Sequence, residues 1–239
     1  MAVALDDPEV GARQYASERD LETRVRVFRG ADQGEDPEQA VVDSVAAVRP
    51  GRLIDAGCGT GALTRRVADR CGCTVEAVDS SPRMVEVAAA RLGRATRADV
   101  CDLPFADGSF DGALAAWMLY HVADVDRAIG ELARVLRPGG SLVAAAPMLD
   151  NLHELWDLLG APPRVMSFSG DNGGEALGRR FRRVRRRVVE GTVVIASGGE
   201  LRGFVEATIE RRHLADRVPE LRQPLQVSVR HAVFVADSC

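Results

Sequence analysis

Three glycines at alternate positions, Gly57, Gly59 and Gly61, follow the short apolar run Leu53–Ala56 and precede an amphipathic segment. Glycine permits backbone conformations with positive φ and lets a ligand approach the main chain without meeting a side chain. The amide groups at the start of a helix that follows such a turn attract a carboxylate or a phosphate. These residues predict a ligand-binding turn between a strand and a helix, and a tight turn without a ligand is the alternative.

A second candidate is Asp79, which ends the stretch Val75–Val78 and stands twenty-two residues after Gly57. A carboxylate at this spacing can accept hydrogen bonds from both ribose hydroxyls of an adenosine-containing ligand. With Ala62, the glycines also satisfy the loose dinucleotide pattern G-x-G-x-x-G/A. The alternative role for Asp79 is to cap the helix that begins near Pro82, and the two roles are compatible.

These candidates lie in a segment where short apolar runs alternate with amphipathic ones. The predicted strands are Arg52–Ala56, Thr74–Asp79, Ala95–Asp99, Phe110–Trp117 and Ser141–Ala146, and the predicted helices between them are Thr60–Arg70, Pro82–Leu92 and Val125–Leu136. Strands and helices that alternate in this way are typical of a parallel sheet with helices on both faces. Such a sheet binds ligands at the carboxyl ends of its strands.

The flanking segments are predicted to complete this arrangement. Helices Ser17–Arg29 and Glu38–Val48 precede the core and are joined by a polar link, Gly30–Asp36. After the core we predict a short helix Asn151–Leu159, a loop through Gly174, strands Val188–Ser197 and Ser228–Ala236, and a helix Glu200–Arg211 between these strands. The last strand is expected to insert antiparallel. Ser81 and Asp124 are expected to cap helices, and Gly93 to end one.

Composition narrows the class of protein. The 239 residues are 46% hydrophobic and 28% charged, and the net charge is −4, which argues against disorder and against a uniformly basic coat for nucleic acid or membranes. All 31 basic residues are arginines, so Schiff-base chemistry and a phosphate-loop lysine are excluded. The five cysteines include no C-x-x-C pair, no metal-ligand spacing stands out, and no apolar run is long enough to span a membrane. We therefore expect a cytoplasmic protein without a metal.

Several motifs in one order carry a resemblance. The run Asp55–Gly61, followed by Asp79–Met84, resembles the first two motifs of class I S-adenosylmethionine-dependent methyltransferases. Three later segments are similar to the rest of that pattern: Ala98–Phe105 with its Leu-Pro-Phe, Ser109–Asp111, and Arg134–Gly140 with its Arg-Pro-Gly-Gly. A dehydrogenase pattern does not require the later segments. The resemblance implies a Rossmann-like, doubly wound α/β fold with a seven-stranded, mostly parallel sheet whose last strand is antiparallel.

The resemblance also implies a role for each matching residue toward S-adenosyl-L-methionine. The methionine end would be held by Asp55 and the backbone near Gly57 and Gly59, and the ribose by Asp79. The remaining contacts would come from Ser80 and Met84 beside the adenine, Asp99 and the Val100 amide at its edge, and Ala116 and Trp117 around the sulfonium. Trp117 as an ordinary core residue is the alternative.

Outside the core, shorter segments resemble a subgroup of methyltransferases that act on small molecules. Tyr15, Leu21 and Arg24 resemble its N-terminal helix, which covers the cofactor. Three further segments are similar to this subgroup, in which the segment after the fifth strand helps form the acceptor pocket: Met118–Val122, Asn151–Leu155 and Asp171–Gly173. The resemblance implies one domain over residues 1–239, divided into a lid (1–50), a cofactor-binding core (51–147), an acceptor-pocket insertion (148–187) and C-terminal elements (188–239).

Methyl transfer to a hydroxyl needs a base to remove the proton. His121 follows the fourth predicted strand and titrates in a suitable range, and His153 lies in the acceptor segment. Tyr15, Tyr120 and Asn151 are candidates to contact the acceptor. Each histidine has a structural role as its alternative, and His213 and His231 have no neighbours in sequence that suggest catalysis.

Seven arginines lie between Arg179 and Arg187. They suggest either contact with phosphates or a solvated edge strand or helix, and the second interpretation is favoured. We therefore predict a methyltransferase for a small organic acceptor, with O- or N-methylation in secondary metabolism. An RNA or quinone-ring methyltransferase and a non-catalytic S-adenosylmethionine-binding module are the alternatives.

Overall fold

The computed structural model describes Asp6, Thr23 and residues 31–239 of the chain. The strands are β1 Ala31–Gly34, β2 Arg52–Ala56, β3 Thr74–Asp79, β4 Thr96–Arg97, β5 Phe110–Ala116, β6 Leu136–Pro147, β7 Arg183–Ile195 and β8 Leu225–Asp237. The α-helices are α1 Pro37–Val48, α2 Ala62–Cys71, α3 Pro82–Leu92, α4 Val125–Val135, α5 His153–Leu158, α6 Gly173–Gly178 and α7 Gly198–Ala207, and 3₁₀ helices cover Leu119–His121 and Ile209–Arg217. The predicted helix Ser17–Arg29, with Tyr15 and Arg24, lies outside the described residues.

All eight strands form one sheet in the order β1-β7-β8-β6-β5-β2-β3-β4. Strands β2 to β6 pair in parallel, and β8 pairs antiparallel with both β6 and β7, which confirms the α/β fold and the antiparallel last strand. The predicted count of seven strands is wrong, because Ala31–Gly34 pairs with β7 as an eighth strand. The sequence predicts a polar link here, since the segment shows no alternation of apolar and polar residues. Its backbone nevertheless pairs with that of β7.

Local signals set the helix boundaries where side chains cap them. The Ser81 hydroxyl accepts from the Met84 amide at 3.4 Å, Pro82 occupies the first turn, and α3 ends at Gly93 with φ of 84°. The Asp124 carboxylate accepts from the Arg127 amide at 2.9 Å at the start of α4. The predicted caps and the bounds of α3 are therefore confirmed.

The core lies on both faces of the sheet, as predicted. Side chains of successive strand residues point to opposite faces, so Leu114 packs with α1 while Ala113 and Ala115 pack with α4. The α4 side contains Ile129 and Leu132, which are fully buried. This double covering explains why the strands consist of nearly continuous apolar residues.

Strands β7 and β8 extend beyond the end of β6. The pairing of β6 with β8 ends at Pro147 and His231, whereas β7 and β8 continue to pair as far as Ile195 and Leu225. The extension runs for six residues of each strand, or about 20 Å at the usual rise per residue. Helices α5 and α7 cover it through an apolar cluster that includes Trp156. We call this unit the extension lobe, and it lies beyond the carboxyl end of β6.

The C-terminal half contains further differences from the predicted elements. Strand β7 begins at Arg183 rather than Val188, because the arginines lie on an exposed part of the strand that charged side chains tolerate. Helix α6 occupies part of the predicted loop, since Leu177 is fully buried against the core. Among the described residues, no helix has the length and apolar character needed to cross a membrane.

Candidate active site

The carboxyl ends of β2, β3, β5 and β6 meet at one edge of the sheet. Asp55 pairs in register with Ala77 of β3 and Leu114 of β5, and Ala116 pairs with Ala145 of β6. The strand register therefore brings Asp55, Asp79 and the residues that follow β5 to the same edge. This is the place where a parallel sheet of this kind binds ligands.

The glycine turn between β2 and α2 is held against β3 by main-chain hydrogen bonds. The amides of Gly57 and Cys58 donate to the Val78 carbonyl oxygen at 2.8 and 3.0 Å. Gly57 has φ of 74°, and a Cβ atom at this position would lie 2.7 Å from the Cβ of Met118. Only glycine fits here, so the turn brings main chain rather than side chains to the edge. No side chain caps α2 at Gly61.

Asp79 ties the glycine turn to the end of β3. One carboxylate oxygen accepts from the Gly59 amide and the other from the Ser81 amide, both at 2.9 Å. Burial raises the pKa of Asp79, and the hydrogen bonds from the Ser81, Gly59 and Ser80 amides oppose that shift. Each oxygen has a further lone pair that can accept from a hydroxyl group. The geometry therefore allows both roles predicted for Asp79, in the local turn and toward a diol.

Asp55 is the most buried acidic residue of this edge, with 3% of its surface exposed. The Thr64 hydroxyl donates to its carboxylate at 2.5 Å. Burial raises the pKa of Asp55 to about 7, the Thr64 hydrogen bond opposes this, and the charge of Asp79 adds to it. Burial also raises the pKa of the Cys58 thiol, which keeps it protonated and a poor nucleophile. No local pattern indicates a role for Thr64, because its partner Asp55 lies nine residues away in a different element.

The residues predicted for the adenine lie after β3 and β4. Ser80 and Asp99 are exposed, and one oxygen of Asp99 accepts from the Cys101 amide at 2.8 Å. Val100 is buried. Met84 has no exposed surface, so its side chain lies behind the predicted adenine surface and would reach a ligand only if its neighbours moved. The other adenine contacts stay predictions.

Trp117 leaves β5 with φ of 55°, an uncommon conformation for a residue with a side chain. Its amide donates to the Ala145 carbonyl oxygen at 2.8 Å, and its indole nitrogen donates to Nδ1 of His231 at 2.9 Å. Burial lowers the pKa of His231 to about 3, and the charge of Arg164 adds to this effect. His231 is therefore neutral near pH 7 and acts here as an acceptor that orients Trp117. No local pattern indicates this role of His231, because 114 residues separate it from Trp117.

His121 and Tyr120 lie directly beyond β5, in the 3₁₀ helix Leu119–His121. Their ring centres are 4.4 Å apart, and both side chains are half-buried. The His121 amide donates to the Met118 carbonyl oxygen at 2.9 Å, which fixes its backbone beside the glycine turn. The structure thus places His121 near the carboxyl edge, and its role as a base stays a prediction.

The other predicted acceptor residues lie at the start of α5. Asn151 is 3% exposed, and its side-chain oxygen accepts from the Arg230 amide at 2.8 Å, so this side chain joins β8 to the segment after β6. His153 is half exposed and lies 3.4 Å from the Glu154 carboxylate. Glu154 in turn accepts from the Ser228 amide at 2.9 Å. These contacts make Asn151 and Glu154 positioning residues, and acceptor contact by Asn151 or His153 stays a prediction.

The arginine cluster forms ion pairs on the surface. Arg179 contacts Asp126 at 2.9 Å, Arg185 contacts Asp237 at 2.8 Å, and Arg187 pairs with Glu35. These arginine side chains are about half exposed. The arrangement favours the interpretation of a solvated strand edge over that of a phosphate-binding patch.

Comparison with known proteins agrees with this geometry. A protein-family profile described as "Methyltransferase domain" matches residues 54–144, which include the glycine turn, Asp79 and strand β5. The matched segment covers less than half of the chain. A structure described as an S-adenosylmethionine-dependent methyltransferase, possible histamine N-methyltransferase, from Thermotoga maritima superposes with a TM-score of 0.60 at 20% identity, covering 97% of this chain and 99% of that one. That similarity shows the fold.

Two curated relatives match part of this chain in sequence. The O-methyltransferase resE of Aspergillus sclerotiorum is 35% identical over 158 residues, which are 59% of this chain and 56% of that protein. The demethylmenaquinone methyltransferase of Tropheryma whipplei is 44% identical over 95 residues, which are 38% of this chain and 39% of that protein. The chain therefore spans about half or less of the length of these curated relatives.

Proposed function

We propose that this chain transfers a methyl group from S-adenosyl-L-methionine to a small organic acceptor. The observation that carries the proposal is the junction of the glycine turn with Asp79, in which both carboxylate oxygens are held by main-chain amides at the carboxyl edge. This junction lies inside residues 54–144, the segment that matches the methyltransferase-domain profile. A side chain at Gly57 would collide with Met118, so the turn is built for close approach to the main chain.

The residues at the edge match the parts of the cofactor. Asp79 would accept hydrogen bonds from the ribose hydroxyls, and Asp55 would face the cationic amino group of the methionine end. Asp99 and the Val100 amide would face the adenine. Ala116 and the Trp117 ring would lie beside the sulfonium, where an aromatic face attracts a cation. The hydrogen bond from Trp117 to His231 would fix the orientation of this ring.

When bound, S-adenosyl-L-methionine supplies an activated methyl group. The acceptor oxygen or nitrogen forms a bond to the methyl carbon while the carbon–sulfur bond breaks, and S-adenosylhomocysteine is the other product. The contribution of the chain is to align the acceptor, to exclude water and to remove the proton of a hydroxyl acceptor. His121 is our candidate for the base, because it lies directly after β5 at the edge where the methyl group would be.

We infer an acceptor oxygen in secondary metabolism, because a fungal relative bears the name O-methyltransferase. A quinone-ring acceptor is the second candidate, supported by the demethylmenaquinone methyltransferase relative. We propose a cytoplasmic enzyme for both.

The first test is calorimetric binding of S-adenosylhomocysteine. We expect Asp79→Ala to weaken binding by about 1.5–3 kcal/mol, since charge-assisted hydrogen bonds to the ribose are lost. The matched control is Asp69→Ala, an exposed carboxylate on α2 that pairs with Arg65. Equal affinity in the wild type and Asp79→Ala would refute the ribose role.

The second test uses S-adenosylmethionine labelled in the methyl group, incubated with phenol, catechol and menaquinone-precursor acceptors. Label in the phenolic ethers supports O-methylation, and label on a quinone ring supports the second candidate. Binding of the cofactor without label transfer to any acceptor, including those in a metabolite extract, would favour a non-catalytic binding module.

A further inference from the structure

Three large polar side chains come together inside the extension lobe. Trp156 lies on α5, Arg164 follows that helix, and Arg211 lies in the 3₁₀ helix Ile209–Arg217. The Arg211 guanidinium is 4.3 Å from the centre of the Trp156 ring, and that of Arg164 is 5.1 Å from it. We call these residues the Arg164–Trp156–Arg211 cluster. It is embedded in the apolar residues that cover β7 and β8.

The charges of this cluster do not balance within the described part of the chain. Arg164 pairs with Glu210 at 3.0 Å, and both side chains are nearly buried. Arg211 is 6% exposed and donates to the Pro162 carbonyl oxygen at 2.8 Å, which is a neutral partner. Two guanidinium groups thus share one paired carboxylate. Burial lowers the pKa of Arg211 to about 10, and the positive charge of Arg164 contributes to this shift.

Three buried donor atoms of this cluster lack a hydrogen-bond acceptor, and they indicate the kind of ligand that would complete it. Nε1 of Trp156, Nε of Arg164 and Nη1 of Arg211 have no hydrogen-bond acceptor among residues 31–239. A buried donor without an acceptor is costly, and a buried charge without a counter-charge is more so. Both guanidinium groups lie over the Trp156 ring, and we infer that one acceptor group could serve the three donors together. An anion with two or more oxygen atoms would provide such an acceptor group.

The cluster is connected to the carboxyl edge. Helix α5 is fixed to β8 by the contact of Glu154 with Ser228. The charge of Arg164 reaches His231, the residue that holds the Trp117 ring at the end of β5. An acceptor that reached from the cluster to Trp117 would have one end among the arginines and the other beside the proposed methyl group.

We propose that the Arg164–Trp156–Arg211 cluster binds a carboxylate group of the methyl acceptor. The planar guanidinium of Arg211 offers parallel N–H groups that match a carboxylate, and the apolar surroundings strengthen the attraction. The acceptor would then be an organic acid whose methylated atom lies at a distance from its carboxylate. This inference rests on the proposed function and deepens it by naming the charge of the acceptor.

The test is calorimetric titration of the protein, with and without S-adenosylhomocysteine, using benzoate as the charged probe and benzamide as its neutral counterpart. We expect benzoate to bind and benzamide to bind at least tenfold more weakly. Arg211→Met, which keeps an unbranched apolar stem but removes the guanidinium and its charge, should weaken the binding of benzoate at least tenfold. Arg202→Met is the matched control, because Arg202 is exposed on α7 in the same lobe, and it should leave benzoate affinity unchanged.

Thermal unfolding separates this role from a structural one. Without benzoate, Arg211→Met should unfold at the same temperature as the wild type or higher, because it removes a buried cation, and benzoate should stabilise only the wild type. If Arg211→Met does not fold, Arg211→Lys is measured in its place. This variant keeps the positive charge but loses the planar guanidinium group, so its affinity for benzoate should still be several-fold weaker than that of the wild type.

The outcomes distinguish the two proposals. Equal affinity for benzoate and benzamide, or unchanged benzoate affinity in Arg211→Met, overturns the carboxylate site even where S-adenosylhomocysteine binds. A lower unfolding temperature in Arg211→Met with an unchanged benzoate response assigns the cluster a structural role only. Benzoate binding without S-adenosylhomocysteine binding refutes the proposed function, and with it the assignment of the carboxylate to a methyl acceptor.

Discussion

The pKa of Asp55 should make binding of S-adenosylhomocysteine depend on pH. Burial raises this pKa to about 7 from an ordinary value of 3.8, so the free protein holds Asp55 largely protonated below neutral pH. A cationic amino group beside Asp55 favours the ionised form, so binding must release a proton. For each pH unit below the pKa, the affinity should fall about tenfold. Between about pH 7.5 and pH 5.5 the dissociation constant should therefore rise by an order of magnitude or more, while the amino group of the ligand stays protonated.

The same shift has a consequence for stability, and its sign follows from the two pKa values. The unfolded chain ionises Asp55 near 3.8, whereas the folded chain holds the proton up to about 7. The stabilisation from the bound proton is therefore complete below pH 3.8 and is lost progressively up to about 7. The total loss is about 4 kcal/mol at most. Asp55→Asn removes the titration, so it should be more stable than the wild type at pH 8 and lose this advantage toward pH 4.

The assay is calorimetric titration at several pH values in two buffers with different ionisation enthalpies, which counts the protons released. Asp55→Asn should bind more weakly at pH 7.5 and show a flat profile. Asp79→Asn should keep a pH dependence that is shifted to lower pH, because the charge of Asp79 contributes to the raised pKa of Asp55. Asp69→Asn is the exposed control. A dissociation constant that does not change from pH 5.5 to 7.5 in the wild type, or a dependence retained in Asp55→Asn, would refute the reasoning.

Three substitutions test other parts of the edge. Gly57→Ala places a Cβ atom 2.7 Å from that of Met118 at φ of 74°. We expect the free energy of unfolding in urea to fall by about 1–3 kcal/mol and Met118→Ala to restore part of it. An unchanged urea midpoint in Gly57→Ala would contradict this. Trp117→Phe removes the donor to His231 and should cost about 1–3 kcal/mol, whereas a loss below about 0.5 kcal/mol would show that the hydrogen bond contributes little. With an acceptor found by label transfer, His121→Ala should lower kcat about 10²–10⁴-fold at unchanged cofactor affinity if His121 is the base, and a loss below about threefold would leave it a structural role.

The cofactor side of the fold was predictable because its signals are local. Strands β2 and β3 and helix α3 have the predicted bounds, since a strand, a turn and a cap are each encoded by a few consecutive residues. The glycine turn and Asp79 are likewise set by spacing along the chain. The burial of Met84 was not predictable from these signals, because it depends on which face of α3 packs against its neighbours.

The features that were missed depend on contacts between distant residues. Strand β1 forms because β7 offers it an edge, and nothing in the segment Ala31–Gly34 indicates a strand. In the sequence, the arginines of β7 form a charged run without evident partners. In the fold, Arg185 forms an ion pair with Asp237 and Arg187 with Glu35, and these carboxylates lie near opposite ends of the chain. The sequence contains these carboxylates but no signal that pairs them.

The difference between local signals and contacts of distant residues also concerns the part of the fold that would select the acceptor. The family profile ends at residue 144, just before β6 reaches the carboxyl edge, and the extension lobe lies entirely after it. The profile thus covers Asp55 and Asp79, which would face the invariant part of the reaction, the cofactor. His231, Arg164 and Arg211 lie beyond it: His231 pairs with Pro147 at the end of β6, and the two arginines contact Trp156 in the extension lobe. If the Arg164–Trp156–Arg211 cluster selects the acceptor, relatives that share the domain but differ in this lobe should methylate acceptors of different charge.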